Sequence, residues 1–261
     1  MFFSVPTLSP TTNLYTHDFL LGGRLVYNQL AAGYRTGIEP VLLSAFIPAK
    51  RGDAVIEGGC GTGAGLMCLA HRVPGIRGFG LEQDQETTLL ARENFSINNF
   101  QNLQCIHATI PHIPSFMMQD AASGKLRFDH AFANPPWHAD SGTPSPNPRR
   151  EAARRLLPGM LSEWIASLAR LLKQQGTLTL ILPTGLYPQA CQLMEKNSLG
   201  RITLFPLWPK AGKQPKIILI QAYKYSAGMG RILPGLTLHQ EDGKYSQEAK
   251  AVLQEGHSLL S

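Results

Sequence analysis

The run "EGGCGTGAG", residues 57–65, constrains this chain more than any other stretch. The apolar "DAVI" before it reads as a strand, and "LMCLAHRV" after it reads as a helix. A backbone that leaves a strand, turns sharply and enters a helix needs glycines, which adopt left-handed angles at little cost. Such a strand–turn–helix unit opens a doubly wound α/β sheet, whose ligands sit at the carboxyl ends of its strands.

The rest of the chain repeats that rhythm. Apolar runs at 53–59, 76–83, 103–108, 127–134 and 176–183 alternate with helical spacing at 63–73, 85–99, 159–175 and 187–199. Two further strands, 201–208 and 215–225, are joined through "PKAGKQ", short enough for a hairpin. The expected fold is therefore α/β, with a mixed, mostly parallel, seven-stranded sheet and an antiparallel last strand. Three regions are expected: a preface at 1–50 ending in a helix around "EPVLLSAF", a core domain at 51–225 and a C-terminal appendage at 226–261. Residues 1–16, rich in Pro, Ser and Thr, read as a loose leader, and proline-rich 138–158 as a long loop.

Composition narrows the class of protein. At 261 residues, 43% hydrophobic and 16% charged, the chain is globular rather than disordered. A formal charge of +6 favours an anionic partner such as RNA. Its four cysteines lack metal-ligand spacing, and no apolar run is long enough to span a bilayer. With no signal peptide visible, a reduced cytoplasmic setting is expected, with no membrane and no metal. His107, His112, His130 and His138 likewise lack a helical metal motif.

The glycine loop alone leaves its ligand open. Gly59, Gly61 and Ala64 satisfy the G-x-G-x-x-A pattern of nicotinamide cofactors, and Glu82, closing the second strand, suits any ribose. Glu57, at the mouth of the loop, favours the other candidate. A carboxylate there repels pyrophosphate but attracts the ammonium and sulfonium of S-adenosyl-L-methionine. Cys60 reads as a small side chain that fits the turn, since no histidine is placed to activate it.

A second motif follows in the fourth-strand position. "FDHAFANPPW" runs an apolar strand into Asn134, Pro135, Pro136 and Trp137. Proline cannot continue a central strand, so the strand stops and presents Asn134 at the ligand-binding edge. The Asn134 carboxamide oxygen and the Pro135 carbonyl are each able to accept one N–H of a planar amine. Trp137 offers a flat base a stacking surface.

In these motifs the chain resembles class I S-adenosylmethionine-dependent methyltransferases, Rossmann-like enzymes that modify planar nitrogen. More closely, it resembles the bacterial tRNA(Val) adenine-N6 methyltransferase family. That resemblance also rests on "DFLLGGRLVYNQLAAGYRTGIEPVLLSAF", "GFGLEQD" and "GLTLHQEDGKYSQEAKAVL", so it extends from about Asp18 nearly to the C-terminus. It implies S-adenosyl-L-methionine as cofactor, RNA (tRNA near the anticodon) as substrate, and catalytic roles for Asn134, Pro135, Pro136 and Trp137. It implies cofactor contacts at Arg35, Gly37, Glu39, Glu57, Gly59, Gly61, Gly63 and Glu82. Where the third strand of the family commonly ends in an acidic residue, this chain reads His107-Ala108-Thr109; Ala108 and Thr109 are the expected contacts there. Arg149, Arg150, Arg154 and Arg155, with Lys210 and Lys213, are candidates for RNA phosphates, against the alternative of solvated surface.

Two other functions fit the same residues. N5-methylation of a protein glutamine would use the same Asn-Pro-Pro geometry, although such enzymes usually carry a helical N-terminal domain. A catalytically silent RNA-binding scaffold would keep the fold, but the intact Asn-Pro-Pro-Trp and Glu57 loop argue against it.

Overall fold

A computed structural model describes residues 14–32, 35–123, 127–137 and 158–260. Its centre is a nine-stranded sheet. The long strands are β3 (Ala54–Gly58), β4 (Arg77–Glu82), β5 (Leu103–His107), β6 (Phe128–Ala133), β7 (Leu172–Pro183), β8 (Leu199–Trp208) and β9 (Ile217–Lys224). Their spatial order is β5-β4-β3-β6-β7-β9-β8, and only β9 runs against its neighbours. The seven expected strands are thus present, with the antiparallel one inserted between β7 and β8. Two short strands, β10 (Arg231–Ile232) and β11 (Leu236–Thr237), pair parallel to β8 and bring the total to nine instead of seven.

Alternation along each strand explains the layers. Val55, Phe132, Ile181 and Leu219 face one apolar cluster; Ile56, Ala131, Leu180 and Ile220 face the other. A sheet buried on both faces needs such continuous apolar runs. The first face is covered by α1 (Glu39–Ala45), α2 (Ala64–Arg72), α3 (Gln85–Ile97) and α7 (Gln247–Glu255), and the second by α4 (Ser115–Ser123), α5 (Met160–Leu171) and α6 (Tyr187–Lys196). His130 lies inside β6. Its ring bonds Asp53 (3.1 Å) and Thr177 (2.8 Å), pinning the approach to β3 to β6 and β7.

The preface differs most from expectation. β1 (Tyr15–Leu20) and β2 (Leu25–Leu30) form an antiparallel hairpin, so Tyr15 and Thr16 belong to a strand and not to a loose leader. Leu25 and Tyr27 turn into the first core cluster, beside Val252 and Leu253 of the C-terminal helix. The segment "LKQQ", expected as the end of a helix, opens β7 instead. Leu172 pairs with Phe128, and the register then shifts before His130 pairs with Thr177. That cross-strand pairing outweighs the modest helix propensity of Leu, Lys and Gln.

One side chain ties the preface to the core. Asn94, fully buried in α3, accepts from the Asn28 N–H (2.9 Å) and donates to the carbonyls of Asn28 and Thr62 (2.9 Å each). Asn94→Ala would strand those buried groups, each at roughly 1–3 kcal/mol. Urea denaturation of the variant is expected to show a loss of about 3 kcal/mol, and an unchanged midpoint would refute the role given to this side chain.

Candidate functional site

Strand order places the site. β3 leads to β4 and β5 on one side and to β6 and β7 on the other, so the order reverses between β3 and β6. A crevice opens at such a point, outside the carboxyl ends. Gly58 pairs with Ala133, so Asn134 emerges one residue later, beside Gly59 and the glycine loop. Both sequence motifs therefore meet at one edge.

The loop is held from several directions. The Cys60 N–H donates to Leu81 O (3.0 Å), and the Gly63 N–H to Cys60 O (2.9 Å). Gly59 and Gly63 have φ of +62° and +92°, and a Cβ on either would lie 2.6 Å from Trp164 or 2.4 Å from Phe95. Gly61, at φ +55°, differs, because a Cβ there would meet nothing within 4 Å. Close packing thus fixes the outer glycines, and the middle one fronts open space. Cys60 is buried as expected, 3.4 Å (Sγ to Sγ) from Cys105.

Two carboxylates flank this space. Glu57, 3% exposed, accepts from the Leu66 N–H (3.0 Å) at the start of α2. Glu82 accepts from the N–H groups of Gly61 (3.0 Å) and Asp84 (2.9 Å). Burial raises both pKa values, most strongly at Glu57, where the Leu66 N–H only partly offsets it and the charge of Glu82 adds to it. Neither acid has a cationic partner among the described residues. The pair therefore suits a cationic, phosphate-free ligand.

The other expected residues spread around this edge. Ala108 and Thr109 follow β5, and the Ala108 N–H donates to Glu82 O (2.8 Å). The Glu39 carboxylate folds back over Gly37, so that a Cβ on Gly37 would lie 2.2 Å from it. Arg35 turns toward β1, bonding Thr16 (2.6 Å) and Asp18 (2.9 Å). Pro135 is buried, while Asn134 and Trp137 are half-buried. The Trp137 indole N–H reaches the Asn134 carboxamide oxygen at 3.3 Å. Lys210 and Lys213 lie on the turn between β8 and β9, which Thr184 ties to the end of β7 through Pro215 O and Lys216 O. They share the edge with Asn134. Arg149, Arg150, Arg154, Arg155 and His138 lie outside the described residues.

Reading the sequence missed what joins preface to loop. The Tyr27 hydroxyl, 1% exposed, bonds both Thr36 (2.7 Å) and Thr62, while the Thr36 N–H donates to Gln29 (2.8 Å). The polar run Tyr27-Asn28-Gln29 inside an apolar strand was the visible signal, but nothing in spacing names its partners. Among the described residues there is no cluster of three His, Cys, Asp or Glu that would hold a metal, and no helix is long and apolar enough to cross a membrane.

The raised Glu57 pKa has a testable consequence. An acid that binds its proton more tightly when folded lowers stability as pH rises from its ordinary 4.5 through the folded value. Glu57→Gln keeps the acceptor for Leu66 and removes the titration. The ligand-free variant is expected to gain stability over the parent as pH climbs above 4.5, read from unfolding midpoints across a pH series. Parallel curves would contradict burial of an ionising Glu57.

Comparison with known proteins follows this geometry. The chain is 25% identical over 218 residues to the tRNA1(Val) (adenine(37)-N6)-methyltransferase of Parabacteroides distasonis, covering 84% of this chain and 88% of that one. The protein of the same name from Haemophilus influenzae is 26% identical over 222 residues, covering 84% and 90%. Among solved structures, an O-methyltransferase from Agrobacterium tumefaciens, so named on prediction, superposes with a TM-score of 0.67 at 18% identity, over 84% of this chain and 96% of its own. That likeness shows a shared fold. The sequence model of the N-6 DNA methylase family matches residues 40–193, more than half of the chain and both motifs of the site, and the chain belongs to that family.

Proposed function

We propose that this protein is an S-adenosyl-L-methionine-dependent methyltransferase acting on the exocyclic N6 of adenine in RNA, with tRNA near the anticodon as the substrate. The observation that carries the proposal is the juxtaposition of Asn134 with the acid-flanked glycine loop at the point where strand order reverses. RNA rather than DNA is favoured by relatives named for tRNA that align over 84% of this chain. The net charge of +6 and the lysines of the β8–β9 turn support the same choice.

The residues present fit the cofactor. Gly61 fronts open space, and Glu57 and Glu82 offer negative charge with no competing cation among the described residues. In this reading Glu57 faces the methionine end, Glu82 takes the ribose hydroxyls, and Gly59, Gly61 and Gly63 give the backbone its close approach. Gly37 and Glu39 border the methionine end from the preface; Arg35 acts there through the strand it braces. Ala108 and Thr109 border the adenine. When bound, the cofactor supplies an electrophilic methyl group on sulfonium.

The chain's own task is to aim the amine. The exocyclic nitrogen of adenine is a weak nucleophile because its lone pair is delocalised into the ring. Acceptance of its two N–H groups by Asn134 Oδ1 and Pro135 O would direct the lone pair out of the ring plane. The Trp137 N–H occupies one lone pair of Asn134 Oδ1 and leaves the second for the substrate. Pro135 and Pro136 stiffen the turn, so the acceptors are placed in advance. No strong base is needed, because the methylated product sheds its proton afterwards. Lys210 and Lys213 would meet RNA phosphates, each adding to the salt dependence of binding.

Single-turnover assays with labelled cofactor on total tRNA, rRNA and protein extract test this reading, and label confined to protein would overturn it in favour of glutamine. Asn134→Ala is expected to slow the chemical step by about 100-fold or more with cofactor affinity kept, as for loss of one positioned polar group. Trp137→Ala should instead raise the substrate constant through roughly 1–3 kcal/mol of lost stacking. A parental rate in Asn134→Ala would reduce the motif to a strand exit. Gly61→Arg, which fills the open space, should abolish calorimetric binding of S-adenosylhomocysteine; retained binding would move the cofactor elsewhere.

A further inference from the structure

The opposite edge of the sheet, where the parallel strands begin, holds a cavity of about 190 Å³ that methyl transfer does not use. Arg127 precedes β6, Arg170 lies in the last turn of α5, and Lys224 closes the reversed strand β9, so all three converge at the end far from Asn134. Met118 and Leu172 add apolar wall, Tyr225 an aromatic one, and among the described residues no carboxylate lines the space.

Helix capping accounts for part of this charge. The Arg127 Nε–H donates to Ala121 O in the last turns of α4 (2.7 Å), and Lys224 Nζ donates to Asn197 O just past α6 (2.7 Å). Cations at helix C-termini are favourable. Capping leaves much unaccounted for, because each spends a single N–H and Arg170 makes no hydrogen bond or ion pair among the described residues. Asp129, two residues after Arg127 in β6, is already held by Lys173 (2.7 and 2.8 Å) and the Ala54 N–H (2.8 Å). Lys224 is only 8% exposed, and burial, then the charge of Arg127, pull its pKa down. A buried ammonium without an anion is costly. Tyr225 is held at a left-handed φ of +51°, uncommon for an aromatic residue, with its N–H on Ser198 O (2.7 Å) and its ring 4.4 Å (centroid) from Lys224 Nζ. Strained residues of this kind gather at ligand sites.

We propose that this cavity binds a phosphate group, either free or carried by a nucleic acid strand. Two guanidinium forks and an ammonium arriving from three elements suit an anion with several oxygens and more than one charge better than a planar carboxylate. The space exceeds a bare phosphate and leaves room beside Tyr225 for the group that bears it.

Titration of the full chain with inorganic phosphate, by calorimetry and phosphorus NMR, tests the free source. Fluorescence anisotropy with labelled tRNA across a salt series tests the strand. Arg170→Gln is the first variant, since its side chain makes no hydrogen bond or ion pair among the described residues; Lys224→Met is the second. If phosphate binds the parent and each variant binds about tenfold more weakly, the cavity takes the free ion. If phosphate gives no signal but both variants weaken tRNA and flatten its salt slope, the phosphate belongs to a strand. Equal phosphate binding by parent and variants, or no effect in either arm, overturns the proposal. The phosphate arm is independent of the methyl acceptor, so its failure is distinct from failure of the proposed activity.

Discussion

Everything at the proposed catalytic edge depends on a glycine loop being held still, and a buried hydroxyl does much of the holding. Tyr27 reaches out of the N-terminal hairpin and bonds Thr62 inside the loop and Thr36 ahead of α1. Asn94 grips Thr62 O from α3 and joins it to Asn28. A loop with several left-handed glycines has much conformational freedom to lose. Here that loss is met by neighbours which are themselves buried, so the loop is ordered before any ligand arrives. Pre-ordering lowers the cost of binding.

The same edge carries an electrostatic tension. Glu57 and Glu82 are buried on either side of the loop, burial raises both pKa values, the charge of Glu82 adds to the rise at Glu57, and among the described residues backbone N–H groups alone satisfy them. The ligand-free fold bears this as a cost, and a cation relieves it. Selectivity against phosphate-bearing cofactors then needs no steric gate, because the field at the mouth already has the wrong sign for pyrophosphate.

Much of this was legible in the sequence, and particular residues show why the remainder was not. Strands β3, β4, β6 and β9 announce themselves because a sheet buried on both faces demands unbroken apolar runs. The glycine loop and Asn134 are legible because backbone conformation restricts them to few residue types. The β1–β2 hairpin escaped because Thr16 and Asp18 make its inner face partly polar, and their partner Arg35 lies seventeen or more residues away. β10 and β11, two residues each, are too short for any periodicity. Asn94 could not be singled out at all, since an asparagine in a helix looks the same whether it faces water or stitches two elements together.

The tail that supplies β10 and β11 also settles how this molecule meets its neighbours. β8 is ten residues long and, with β9 on one side only, would leave a row of free amide and carbonyl groups on the other. Such a border is a template for another chain's strand, the first step toward a fibrous aggregate. Here the protein's own tail lies along it at Thr203–Leu204 and Leu207–Trp208, then crosses to dock α7 against the N-terminal hairpin. The opposite border, β5, is only five residues long. The central sheet thus carries its own selvedge, stitched along the long side and trimmed on the short one, and its borders offer little for another copy to extend.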